Sequence, residues 1–238
     1  MNIKFKFSTA LLAFALLVNS FVANASDKNT LPDPEKDKVL ILVLKNILTR
    51  GHFVVKEMND EFSEQVFNSF VDGLDPSKRY FTQEDLKEFS QYKYEIDNQL
   101  LRDDLTFYKL VYNRFLDKIK NAKSYYGALL EQPFNFRKKE TIDIDYEKVL
   151  YAQNDNQLID YWRKQLKLQT IGRVQEQTEL QTAKLKKDET FKVKSFVTLE
   201  KEARAEVLKN MDELYIRIEE LEHDDWFSTF LNSVVGAF

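Results

Sequence analysis

The chain has 238 residues with five Gly, four Pro and no Cys, and 35 Lys and Arg stand against 39 Asp and Glu for a net charge of −4. Without cysteine there is no disulfide framework, no thiol nucleophile and no thiolate metal site. A mildly acidic surface argues against nucleic acid as a partner, because such sites gather basic residues.

The first element reads as a targeting signal. Lys4 and Lys6 make a short positive start, Ala10 to Val18 is an unbroken apolar run, and Ala23-Asn24-Ala25 offers small residues for cleavage. The run is shorter than the roughly 20 residues that span a bilayer. Residues 1–25 are therefore expected to be a cleaved signal peptide, with the mature chain starting at Ser26 and keeping no stable membrane span. The signal takes two lysines and no acid with it, so the mature protein is more acidic still.

Sparse Gly and Pro, abundant Leu, Lys and Glu, and no alternating pattern predict an all-α fold. Residues 29–36, with Pro32 and Pro34, read as a short extended linker. Val39, Leu40, Val43, Leu44, Ile47 and Leu48 then recur at helical spacing up to Gly51. Phe62, Val66, Phe70 and Leu74 step by four, with Phe67 and Val71 beside them, behind good N-cap residues at Asn59 and Asp60. Asp75-Pro76-Ser77-Lys78 suits a type I turn, and Thr82 with Asp85 forms an acidic variant of the capping box.

A wide stripe follows from Leu105 to Leu130: Tyr108, Val111, Tyr112, Phe115, Leu116, Ile119, Ala122, Tyr126 and Leu129. Pro133 closes it. Residues 134–146 are irregular, with at most one short extended piece around Ile142 and Ile144. From about Asn156 a long helix carries Leu158, Trp162 and Leu166 in step. Beyond Ile171 it turns polar on nearly every side, which predicts a projecting helix. After a break at 191–197, Ala203, Val207, Met211, Leu214, Ile218 and Leu221 share one face. The last helix shows Phe227, Phe230, Leu231, Val234, Val235 and Phe238. The expected architecture is an irregular multi-helix bundle of six to eight helices with one long projecting helix. There is also an internal echo. Residues 66–74 align with 230–238 through Asn68/Asn232, Ser69/Ser233 and Val71/Val235, and an Asp-Pro turn follows the first copy.

The order Gly51-His52-Phe53, Phe62-Ser63, Val66-Phe67 and Leu74-Asp75-Pro76-Ser77-Lys78-Arg79-Tyr80-Phe81 resembles the opening of the tail-specific, or C-terminal processing, proteases. Asp85 with Phe89, Glu131-Gln132-Pro133-Phe134, Trp162 with Leu166-Lys167, and the helix from Asp225 to Phe238 fit the same layout. The resemblance covers essentially the whole mature chain and rests on order and spacing, not on a catalytic motif. It implies an N-terminal helical domain, residues 26–238, of a serine endopeptidase in the periplasm of a Gram-negative bacterium. In that family a segment beginning Asp-Pro-His-Thr leads on into a PDZ and protease core. The family's serine and lysine lie beyond Phe238, so the chain alone is expected to be inactive. The implied partners are those downstream domains, protein substrates and an adaptor protein.

No catalytic, cofactor or metal site is expected from the residues themselves. Glu222-His223-Asp224-Asp225 reads as a cap and hinge, because consecutive helical residues point apart. His52 reads as a packing residue at a helix end, and Ser77-Lys78 as a chance pair. Asp143 and Asp145 lack a fuller oxygen shell for a cation, and Lys184, Lys186 and Lys187 read as a solvated helix end. The candidate interface is the end of the last apolar stripe, Val235 and Phe238. It is expected to meet a downstream domain, since exposed apolar ends invite association. The competing expectation is a self-contained exported binding module, such as a chaperone or adaptor.

Overall fold

The computed structural model describes residues 34–48, 57–146 and 148–238. All of these belong to one unit, Pro34–Phe238. The expected signal peptide, Gly51 and His52 lie outside the described residues.

The described residues form eight α-helices and no strand: α1 (Pro34–Asn46), α2 (Asp60–Leu74), α3 (Gln83–Phe89), α4 (Ile96–Leu101), α5 (Thr106–Glu131), α6 (Asp155–Lys187), α7 (Phe196–Glu219) and α8 (His223–Gly236). A short 3-10 turn at Ser90–Tyr92 joins α3 to the approach of α4. An isolated parallel bridge pairs Thr82 with Ala152. The fold is all-α with one long polar helix, as the sequence implies.

Helix starts are set by side-chain caps that satisfy otherwise unpaired amides. Asn59 accepts from the Phe62 amide at 3.0 Å, Asn154 from Gln157 at 3.1 Å and Ser195 from Thr198 at 3.2 Å. Thr82 and Asp85 close a reciprocal capping box on α3. Glu222 and Asp225 do the same for α8.

The turn after α2 aims the core residues that follow it. The Lys78 amide donates to the Asp75 carbonyl at 3.1 Å. Lys78 itself takes φ 52, in the left-handed region. The Asp75 carboxylate is fully buried and accepts from the amides of Arg79 (2.8 Å), Tyr80 (2.9 Å) and Phe81 (2.9 Å). That grip sends Tyr80 against Phe115 at 5.3 Å between ring centroids, and Phe81 against Phe89 at 5.2 Å.

The centre of the core is aromatic. Phe70 of α2 meets Phe107 and Tyr108 of α5, both at 5.9 Å, and Phe230 of α8 at 5.1 Å. Each large side chain so buried contributes about 1.5–3 kcal/mol. Helix α2 packs on α8, α5 on α6 and α7, and α6 on α7. The α2–α8 pair is antiparallel: Phe62 near the start of α2 meets Phe238 beyond the end of α8, while Phe70 meets Phe230. The two copies of the internal echo are therefore packing partners.

Several expectations need correction. Pro34 to Lys36 open α1 and are not linker. Helix α1 and the turn after it bury Asp37, Ile41, Leu44 and Leu48, while Val39, Leu40, Val43 and Ile47 face outward. The helix is apolar on two sides, so the stripe read from periodicity is largely the wrong one. Leu116 and Leu221 are exposed, whereas Phe107, Lys118 and Tyr215 are buried. Tyr215 fits beneath Tyr126 at 4.9 Å because α7 is rotated slightly from the face expected. The polar end of α6 beyond Val174 is exposed as expected. It is accompanied by the returning chain, whose Lys194 amide donates to the Gln181 side chain.

Candidate functional site

Helix α8 buries Phe227, Phe230, Ser233 and Val234, and Ala237 just beyond its end is buried too. The candidate interface residues lie at the edge of this face. Val235 and Phe238 are half-buried. The Phe238 amide donates to the Val235 carbonyl at 3.2 Å. The Phe238 ring meets Phe62 edge-on at 6.0 Å. Both side chains are thus held in place and still present apolar surface.

At the other end of α8 the Glu222-His223-Asp224-Asp225 run disperses. His223 Nε2 lies 2.8 Å from Asp37 of α1. Asp224 pairs with Lys36. Asp225 accepts from the Glu222 amide at 2.9 Å. The imidazole is packed between Tyr112 at 5.4 Å and Phe227 at 5.9 Å. Burial pushes the Asp37 carboxyl above its usual range, against the lowering effect of His223. Among the described residues no three His, Asp or Glu side chains converge as metal ligands.

The other sequence candidates have structural partners. Lys78 donates to Asp72 at 2.9 Å and sits 4.4 Å over the Tyr151 ring, so it does not serve Ser77. Asp143 accepts from the Asp145 amide at 2.9 Å, and Asp145 pairs with Lys148 at 2.5 Å. Asp188 accepts from the Thr190 amide at 3.0 Å beyond the lysines that end α6.

Two charged clusters escaped sequence reasoning. Asp85 receives Arg114, Lys118 at 3.0 Å and the Thr82 hydroxyl at 2.7 Å. Burial pushes its carboxyl up, but the Thr82 bonds with Lys118 and Arg114 together hold it below the usual range. Glu140, in the loop before α6, receives Arg163, Lys167 at 2.6 Å and Lys138 at 2.9 Å. Arg163, Lys167 and Lys138, in that order, hold its carboxyl far below the usual range. The i, i+3 and i+4 steps from Asp160 to Arg163 and Lys164 were readable as helix pairs. Nothing local could show that Glu140 folds back onto them.

Fold and site define a class: an all-α domain whose described polar side chains cap helices and tie loops, with an apolar helix edge at Val235 and Phe238. A family model described as the tail specific protease N-terminal domain matches residues 43–238, and the chain belongs to that family. It is also similar to a tail-specific protease of Haemophilus influenzae, with 27% identity over 126 residues. That match takes in 52% of this chain and 18% of the relative, so the chain spans only a small part of that protein. No described helix is long and apolar enough to cross a membrane.

Proposed function

We propose that this chain is the N-terminal scaffold of a periplasmic serine endopeptidase that processes proteins from their C-termini. It is exported under a signal peptide, residues 1–25, and its mature part, 26–238, precedes PDZ and protease domains. Those domains supply the serine and lysine of catalysis. The helical domain orders their surroundings and shapes access for protein substrates, and an adaptor is a further partner. The observation that carries this reading is the family match along 43–238. The half-buried edge at Val235 and Phe238 supports a docking place for the downstream domains.

Two measurements test it. The purified chain, incubated with an unfolded protein, should leave it uncleaved. Hydrolysis that disappears when one of the chain's own serines is replaced would overturn the reading. Mixed with the PDZ and protease part of its parent, the chain should bind. Replacing both Val235 and Phe238 with Asp should weaken that binding about tenfold or more, equivalent to about 1.4 kcal/mol. Undiminished binding would move the interface elsewhere.

A further inference from the structure

The face where the loop at 137–141 folds onto α6 is unlike the rest of this acidic chain. Arg137, Lys138, Lys139, Arg163, Lys164 and Lys167 gather there around two carboxylates, Glu140 and Asp160. Glu140 alone takes Lys138, Arg163 and Lys167, and Asp160 takes Arg163 and Lys164 at 3.0 Å. Arg137 and Lys139 are exposed and make no ion pair among the described residues. Six bases against two carboxylates leave the cluster net positive on a chain whose net charge is −4.

The same face is concave. A groove of about 610 Å³ runs between the start of α6 and the segment carrying Tyr151. A second depression of about 450 Å³ lies against Lys138 and Lys139. Asp160 and Lys164 line both, so the two hollows adjoin as one trough. The walls of the first are not only charged. Gln153 and Asn156 offer side-chain amides, Gln157 is bonded to Gln153 at 3.0 and 3.2 Å, Tyr161 and Tyr151 beneath Lys78 offer rings, and Leu150 is 81% exposed at its rim.

We infer that this trough is a docking site for an extended, acidic polypeptide segment. Lys78, Lys138, Lys139 and Lys164 outnumber the two lining carboxylates, Glu140 and Asp160, and an excess of one sign in a cleft raises the local concentration of oppositely charged ligand. Amide side chains match the alternating donors and acceptors of an extended backbone. Rings and Leu150 give apolar side chains somewhere to rest. A free small anion would use only the lysines, and a flat lipid surface would not use a trough. The inference stands on this face alone and is independent of the protease reading.

The test uses the whole mature chain and a short fluorescent peptide alternating Glu with Ala, read by anisotropy at low salt. Companion peptides carry Gln or Lys in place of Glu. The acidic peptide should bind, and the Gln and Lys peptides should not. The double variant Lys139→Glu with Lys164→Glu should weaken binding by roughly tenfold, and added salt should weaken it in the wild type. A control double variant, Lys186→Glu with Lys187→Glu, makes the same change of net charge at the far end of α6 and should bind like the wild type. Thermal melts check that all variants fold. Equal losses in both double variants would reduce the effect to net charge and overturn the site. So would equal binding of the Gln peptide. Capture by phosphatidylglycerol vesicles without peptide binding would assign the surface to lipid and likewise overturn it.

Discussion

Asp37 and His223 meet at 2.8 Å although 186 residues separate them, and only 4% and 9% of their side-chain surfaces remain exposed. This pair, with Lys36 and Asp224 beside it, fastens α1 to the start of α8. Together with Lys45 on Asp103 at 2.6 Å, it holds one of the two apolar sides of α1 inward. His223→Ala leaves a buried carboxyl without this hydrogen-bond partner, at about 1–3 kcal/mol. Helix α1 can escape much of that cost by undocking. The expected result is a loss of hydrogen-exchange protection through residues 37–48, with a smaller fall in global stability. The double variant Asp37→Leu with His223→Phe, which removes both polar groups, should restore protection. Unchanged protection in His223→Ala would show that the pair does not hold the helix.

The Asp75 carboxylate organises the chain between α2 and α3. Burial pushes it above its usual range, and the amides of Phe81, Arg79 and Tyr80 oppose that rise. Asp75→Ala strands three amides that the fold keeps from water, at about 1–3 kcal/mol for each group left unsatisfied. Some of this will relax as water enters. The expected fall in the urea midpoint corresponds to about 3 kcal/mol or more. Asp75→Asn retains one acceptor oxygen and should lie between Asp75→Ala and the wild type. If Ala and Asn are both neutral, the carboxylate is not the organiser of this turn.

What the sequence could and could not reveal follows from the range of each interaction. The caps at Asn59, Thr82 and Asn154 act within three residues, so residue type and position announce them. The stripe of α2 is unambiguous because its opposite face is polar, whereas that of α5 admits Leu116, which is exposed, and omits the buried Lys118. Helix α1 offers two apolar sides, and contacts far along the chain, with Asp103 and His223, select between them. Asp75 announced a turn, but not that its carboxylate would be buried under the next three amides. The charge cluster at Glu140 depends on a loop of no regular pattern folding back onto α6. The α2–α8 contact was half legible, because the echo marked the two segments without saying that they touch.

Acid should unfold the domain partly through two carboxylates. The Asp85 and Glu140 carboxyls lie below their usual ranges in the folded protein. A carboxyl depressed by folding stabilises above its unfolded pKa, and that contribution disappears as pH falls through the folded value. The loss therefore begins below about pH 4. Asp37 and Asp75 are raised and work in the opposite sense, their contribution fading as pH climbs through their folded values. Asp85→Asn mimics the protonated state. Its urea midpoint should lie below that of the wild type at neutral pH, and the gap should close as pH falls towards 2. A gap that stays constant with pH would mean that Asp85 is not held low.

Export gives a prediction that needs no folded-state measurement. The short apolar run after Lys4 and Lys6, with Ala23 and Ala25 beyond it, should direct cleavage so that the secreted chain begins at Ser26. N-terminal sequencing of protein released from the periplasm checks this. Intact Met1 in a membrane fraction would refute it.

The contact between the echoed segments makes the sharpest packing prediction. Gly73 lies in α2 with ordinary helical geometry, since no glycine among the described residues has positive φ. A Cβ placed there would sit 3.5 Å from Thr229 Cγ2 of α8, an ordinary van der Waals distance. The echo places Ala237 at the equivalent position of the second copy, and that methyl is buried without difficulty. Gly73→Ala should therefore be accepted, and should stabilise by up to about 1 kcal/mol because alanine loses less backbone entropy in a helix. A branched side chain crowds the same contact further and is restricted in a helix. Gly73→Val adds a second layer of atoms against Thr229 and should wedge α2 from α8, at about 1–3 kcal/mol. Thermal melts of the two variants should therefore move in opposite directions. If both are destabilised alike, the helices approach more closely than this contact implies.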